Sequence, residues 1–355
     1  MKNSRYNMIV LIGTTALLSL TAALTIIIDP YFHYHKPLAD FQYKINNQRY
    51  QNDGILRNFD YDAIITGTSM TENFKTTQLD KMFGVKSVLT PFSGSTFKET
   101  GDNIKRAINY NDNIKMIIRS IDISRYFDKV NDMRYEVSYY PTYLTNNNPF
   151  DDVAYVWNKS VLFNNTLEIL STYSKGSGSV TTFDEAYNWN EANEFGKTAV
   201  LANYNRKDTK AEKNVVLTKE QLLDIQKNID VNLAGVAKDN PEIQFYYFIT
   251  PYSVVFWDSV ERIGTLDMTL LAEKMIIESL IEYDNIHFFS FSDNLSITAD
   301  LNNYKDIAHY SENVNSYILQ CMKEDKHRLT KDNYKEYLER MNDIYSNYDY
   351  DSLFQ

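Results

Sequence analysis

Residues 8–28 contain no charged side chain, and these roughly 21 positions match the length an α-helix needs to cross a hydrocarbon core of ~30 Å. A segment of this kind has to satisfy its backbone hydrogen bonds internally, so a single transmembrane helix is expected. Lys2 and Arg5 precede it and Asp29 follows. The positive-inside bias then leaves residues 1–7 as a cytoplasmic N-terminus, residues 8–28 in the cell membrane, and everything after Pro30 outside. A cleaved signal peptide, the competing reading, calls for an apolar stretch of only ~7–15 residues ending at small side chains. Here Leu24-Thr25-Ile26-Ile27-Ile28 runs on past Ala22-Ala23, which favours an uncleaved anchor.

The remaining length suits one large α/β domain with additions. Residues 29–60 are polar and aromatic, broken by Pro30 and Pro37, and are expected to form a juxtamembrane stalk or a first irregular wrap. Tyr61-Asp62-Ala63-Ile64-Ile65-Thr66 reads as a short buried strand, followed by a glycine turn and a helix starting near Thr71. Residues 85–89 give a second strand, ending at Pro91-Phe92-Ser93-Gly94. A helix over 96–109 and an isoleucine-rich strand over 114–123 follow. Strand alternating with helix is the signature of a parallel sheet with crossover connections.

The pattern becomes irregular over about 128–217, where Asn146-Asn147-Asn148-Pro149 and Gly176-Ser177-Gly178-Ser179 mark loops. This stretch is expected to be an insertion; Trp157 and Trp189 lie within it, placed either to cap a site or to anchor the insertion. Order returns at Thr218, where Thr-x-x-Gln has the form of a capping box, and the helix continues to about Lys238. A strand over 245–250, a helix over 268–283 and a strand over 286–291 resume the alternation. The α/β domain is therefore placed at 61–324. In 325–355, Tyr334, Tyr337, Leu338, Met341, Ile344 and Tyr345 recur at helical spacing, predicting a C-terminal helix docked on the domain.

A net charge of −11 excludes nucleic acid as a partner, because phosphate binding needs clustered Lys and Arg. The 28 tyrosines and 19 phenylalanines are read as ordinary packing before a carbohydrate groove. The one cysteine, Cys321, forms no internal disulfide; with Val314, Tyr317 and Ile318 it marks the buried face of a helix.

Two short motifs carry the chemistry. Ser69 sits in Gly67-Thr68-Ser69-Met70 directly after the first strand, where open α/β sheets place ligands. At a helix start, free backbone N–H groups would face developing negative charge, so one turn can present both a nucleophile and part of an oxyanion hole. The competing reading is structural: Ser69-Met70-Thr71-Glu72 is itself a Ser-x-x-Glu capping box. His309 tips the balance. Of the five histidines, His33 and His35 adjoin the membrane, His287 lies in a strand, and His327 sits in a charged run. His309 has a carboxylate, Asp306, three residues earlier and beyond the last strand, able to fix its tautomer and orientation. Gly94, after the second strand, can offer an unobstructed N–H to an oxyanion. No His/Cys spacing suits a metal and no phosphate-binding glycine loop is present. Asp128, Asp132, Asp151 and Asp152 read as solvated loop charges.

With these motifs the chain resembles the SGNH, or GDSL-type, hydrolase superfamily, especially its membrane-anchored branch of teichoic acid D-alanyl-transfer and polysaccharide O-acetylation proteins. The first block is similar to Gly67-Thr68-Ser69-Met70, the second-block glycine to Gly94, and the closing Asp-x-x-His to Asp306 and His309. The resemblance implies a flavodoxin-like three-layer parallel sheet. It further implies Ser69 as nucleophile, His309 as base and acid, Asp306 as orienter, and Ser69 and Gly94 at the oxyanion, with no cofactor or metal. It points to ester chemistry, hydrolysis or O-acyl transfer, on a cell-surface polysaccharide or teichoic-acid-like polymer, with a multi-span membrane acyltransferase as a partner. The chain departs from the pattern after the third strand. Arg119-Ser120-Ile121-Asp122-Ile123-Ser124 stands where the family has an oxyanion-hole asparagine, and an ionised Asp122 would repel an oxyanion. That departure motivates the rival expectation: a noncatalytic protein of the same fold that scaffolds an acyltransferase or binds glycan.

Overall fold

The computed structural model describes residues 2–176, 180–202 and 204–355. Ser177, Gly178 and Ser179 of the loop expected at 176–179 lie outside the described residues, as do Met1 and Asn203 within the expected N-terminus and insertion. The chain divides into two compact units: residues 1–60 with 135–186, and residues 61–134 with 187–355.

The first unit begins with the helix Lys2–Ile28, whose stretch Ser4–Ile28 is long and apolar enough to cross a membrane. Residues 29–60 follow as an ordered wrap within this unit. Asp29, with a positive φ of 48°, is fully buried, and its carboxylate accepts the backbone N–H groups of His33 (3.0 Å), Tyr34 (2.7 Å) and His35 (3.0 Å) and the Tyr155 hydroxyl (2.8 Å). The chain is thereby wrapped back on itself at the end of the apolar helix. A second helix, Gln48–Asn58, buries Gln51, Asn52, Asp53, Ile55 and Leu56. Its Gly54 lies so close to other backbone that a Cβ would stand 2.3 Å from the Tyr31 carbonyl oxygen. Composition concealed this packing because polar side chains, not an apolar run, make the contacts.

The second unit is a mixed α/β fold around a six-stranded sheet ordered β2-β1-β3-β4-β5-β6. The strands are β1 (Ala63–Gly67), β2 (Ser87–Pro91), β3 (Met116–Ile121), β4 (Gln244–Ile249), β5 (Ile286–Ser290) and β6 (Arg328–Leu329). The first five run parallel; β6 pairs antiparallel with β5, Phe288 opposite Leu329. Every residue of β1, β2 and β3 is buried, as expected of strands covered on both faces. The burial includes Arg119 in β3, whose guanidinium donates to the carbonyls of Asn232 (2.6 Å) and Phe97 (2.8 Å) and to the Thr100 hydroxyl (2.5 Å).

Local sequence sets the crossovers. Thr96 and Glu99 form a reciprocal capping box that starts the helix Phe97–Tyr110, and Thr218 with Gln221 starts Lys219–Ile229 in the same way. Cys321 is buried in the helix Glu312–Glu324. Tyr337, Met341 and Tyr345 form the buried face of the helix Tyr334–Asn347. Residues 187–217 and 325–355 belong to this unit, so the segment packed with the first unit is shorter than the insertion expected at 128–217.

Candidate active site

The site is assembled at the carboxyl ends of the parallel strands, around β1, where the strand order reverses direction. Gly67 ends β1 with φ of +148°, and a Cβ there would lie 2.1 Å from the Ser120 hydroxyl oxygen. Only glycine leaves room for the turn. Instead of the α-helix expected near Thr71, a single 3-10 turn, Ser69–Thr71, follows, and the helix proper is Thr76–Phe83. The Thr71 hydroxyl donates back to the Thr68 carbonyl (2.9 Å), tightening this turn, while Phe74 is drawn into the core. The capping residue is Thr68, whose side chain accepts the Met70 N–H. Ser69 is thus not the cap of a Ser-x-x-Glu box, and its hydroxyl is turned elsewhere.

The Ser69 Oγ lies 2.8 Å from His309 Nε2, across 240 positions of sequence. His309 Nδ1 lies 2.8 Å from one Asp306 oxygen and 3.1 Å from the other. The carboxylate is pinned by two more donors, the backbone N–H groups of Ala308 (2.9 Å) and His309 (2.8 Å). With an acid on Nδ1, the proton belongs there, leaving Nε2 to accept from the serine. Burial pushes the Asp306 carboxyl upward, but the imidazole and the two N–H groups outweigh it and hold it below its ordinary range.

Ser69 and His309 line a cavity of about 290 Å³ together with Gly94, Asp122, Arg125, Tyr252 and Phe256. Gly94 takes a positive φ of 66°, and its carbonyl accepts the Arg125 guanidinium at 2.7 Å. Among the described residues, the N–H groups of Ser69 and Gly94 carry no internal hydrogen bond, so both are available to a ligand oxygen. Asp122 enters this cavity from the end of β3. Its two oxygens accept the hydroxyls of Thr68 and Tyr252. Burial drives its pKa up, against the hydrogen bond from Thr68 and the fields of His309 and Arg125. With both oxygens occupied as acceptors, it braces the turn carrying Ser69.

Four residues that the sequence reading did not assign to the site join it. Arg125, Tyr252 and Phe256 line the cavity, and Trp189 packs edge-on against His309, ring centroids 5.7 Å apart and planes at 87°. The Lys305 ammonium sits 3.9 Å over the Trp189 ring. Trp189 had a signal, a tryptophan in an otherwise irregular stretch; the other three had none. Of the remaining histidines, His287 bonds Gln244 at 2.9 Å and His327 meets the Tyr317 hydroxyl at 3.1 Å. Among the described residues no group of three or more His, Cys, Asp or Glu is placed to hold a metal.

No family model matches the chain, and no curated protein matches it. Among solved structures it is similar to one from Streptococcus pneumonia provisionally described as a platelet activating factor, with 12% identity over 78% of this chain and 90% of that one and a TM-score of 0.38. A superposition that loose says nothing about chemistry.

Proposed function

We propose that the chain is a membrane-anchored serine esterase or O-acyltransferase of the SGNH type, its sheet a flavodoxin-like doubly wound one. The observation that carries this reading is the unbroken Ser69–His309–Asp306 hydrogen-bond relay opening into a cavity. His309 Nε2 takes the Ser69 proton as Oγ attacks an ester carbonyl. The oxyanion that forms is met by the N–H groups of Ser69 and Gly94, which have no competing acceptor. His309 then returns the proton to the leaving alkoxide, and an acyl-Ser69 remains. Water or a sugar hydroxyl, deprotonated by the same nitrogen, releases the acyl group.

The anchor reading is supported by the way the helix Lys2–Ile28 continues into the Asp29 wrap; cleavage at Ala22-Ala23 would remove a residue, Ala22, that packs against the buried cluster of Tyr31, Leu144, Tyr155, Val156 and Val161. With the N-terminus cytoplasmic, the catalytic unit faces a cell-surface polysaccharide or teichoic-acid-like polymer, and a multi-span membrane acyltransferase would supply acyl groups. A second reading, a noncatalytic scaffold or glycan binder, is favoured by one observation: a carboxylate, Asp122, lines the cavity that an oxyanion would enter. A fluorophosphonate probe separates the two. Labelling of the wild type that disappears in Ser69→Ala supports the enzyme; an unlabelled wild type with glycan binding unchanged in Ser69→Ala supports the scaffold.

A further inference from the structure

We infer that residues 150–167 form a foot seated in the outer leaflet of the bilayer, so that the first unit is held by lipid contact as well as by its span; this rests on reading the N-terminal helix as a membrane anchor. The foot is continuous with that helix. The Trp157 indole N–H donates to the Leu18 carbonyl at 3.0 Å, and Leu18 lies about 15 Å along the helix from its outer end at Ile28. The short helix Val153–Val156 and the π-turn Val161–Thr166 pack along the same helix. Their inner sides, Tyr155, Val156 and Val161, close a small core with Tyr31 and Leu144.

The outer sides are apolar and bare. Val153 is 51% exposed and Trp157 50%, one helical turn apart; Phe163 is 57% exposed and Leu167 38%, again one turn apart. In water, four large hydrophobic side chains beside a bare apolar helix would be unfavourable. Against the hydrocarbon beside the helix they are suited. Several polar groups of the foot bond to one another, which lowers their cost beside lipid. Asn158 accepts the N–H groups of Ser160 and Val161, Asn164 bonds the Ser160 hydroxyl at 3.2 Å, and Asn165 bonds the Ser160 carbonyl at 3.2 Å.

The test uses the full-length protein, purified and reconstituted into phosphatidylethanolamine–phosphatidylglycerol vesicles, carrying Cys321→Ser and either Phe163→Cys or, as a water-facing reference, Val216→Cys, each spin-labelled. The expected result is frequent collision of the label at 163 with oxygen and rare collision with a water-soluble nickel chelate, the reverse of the label at 216. Equal access of the nickel chelate to both sites, in protein that still floats with the vesicles, would overturn the foot while leaving the anchor standing. Shielding of 163 from both reagents would overturn it too, in favour of a protein contact. Failure of the protein to float would instead remove the anchor reading on which the proposal depends.

Discussion

At the level of single residues, the most demanding position is Gly67. Its φ of +148° and the 2.1 Å approach of a Cβ to Ser120 leave no relaxed place for a methyl group, so Gly67→Ala is expected to lose at least about 2 kcal/mol of stability, read from the urea midpoint. Asp306→Asn keeps the shape of the relay but removes the charge that fixes the imidazole tautomer. Turnover on a chromogenic ester should fall by about 10³–10⁴-fold with little change in melting temperature. Asp122→Asn should move activity the other way. Burial raises the Asp122 pKa, so the carboxyl is neutral at low pH and acquires its charge as pH rises, next to the forming oxyanion. The ratio of variant to wild-type kcat is therefore expected to climb with pH; a ratio that stays flat would show that Asp122 does not act on the oxyanion. The meeting of Ser69 with His309 and Asp306, and of Gly94 at the same cavity, was legible because these short motifs sit at recognisable spacings at strand ends. Arg125, Tyr252 and Phe256 were not, since a residue that merely lines a cavity leaves no periodic or motif signature.

Among the elements, those with apolar runs or capping boxes were read closely. The strand expected over 245–250 is Gln244–Ile249, and the helix opened by Thr96 is Phe97–Tyr110. The helix Val254–Arg262 went unmarked because Pro251 and aromatic residues at its start obscure the period. The two-residue β6 is too short to show alternation. The helix expected at Thr71 begins instead at Thr76, because a local turn closed by Thr71 won over intrinsic propensity. The segment after the apolar helix, legible as a stalk or an irregular wrap, takes its order from one buried carboxylate collecting N–H groups, which resembles loop composition. Asp29→Ala would leave three N–H groups and a tyrosine hydroxyl without their acceptor, costing roughly 2–4 kcal/mol. Limited proteolysis should then cut within residues 30–46, where the wild type resists.

For the molecule as a whole, pH is expected to act through Glu273. This residue is buried and accepts the hydroxyls of Tyr337 (2.5 Å) and Tyr126 (3.2 Å), and burial pushes its carboxyl up to about 7 despite both bonds. Between 4.5, its ordinary value, and about 7, the folded state holds more protons than the unfolded one. The stabilising contribution is complete below that window and is lost as pH rises through it. Glu273→Gln should therefore flatten the dependence and exceed the wild type above pH 7 by up to roughly 3 kcal/mol; thermal denaturation at pH 5 and pH 8 would check this. The same connection ties the helix Tyr334–Asn347 to the sheet, since the Tyr337 hydroxyl also meets Ser290 in β5 at 2.7 Å.

The distance in sequence between Ser69 and its base, 240 positions, has a consequence for biosynthesis. A nascent chain exposes the serine long before the histidine has been translated. Until the final strands and helices emerge and close around the sheet, that hydroxyl is an ordinary alcohol, inert toward the esters it passes. The contact between hydroxyl and imidazole can form only in the finished protein.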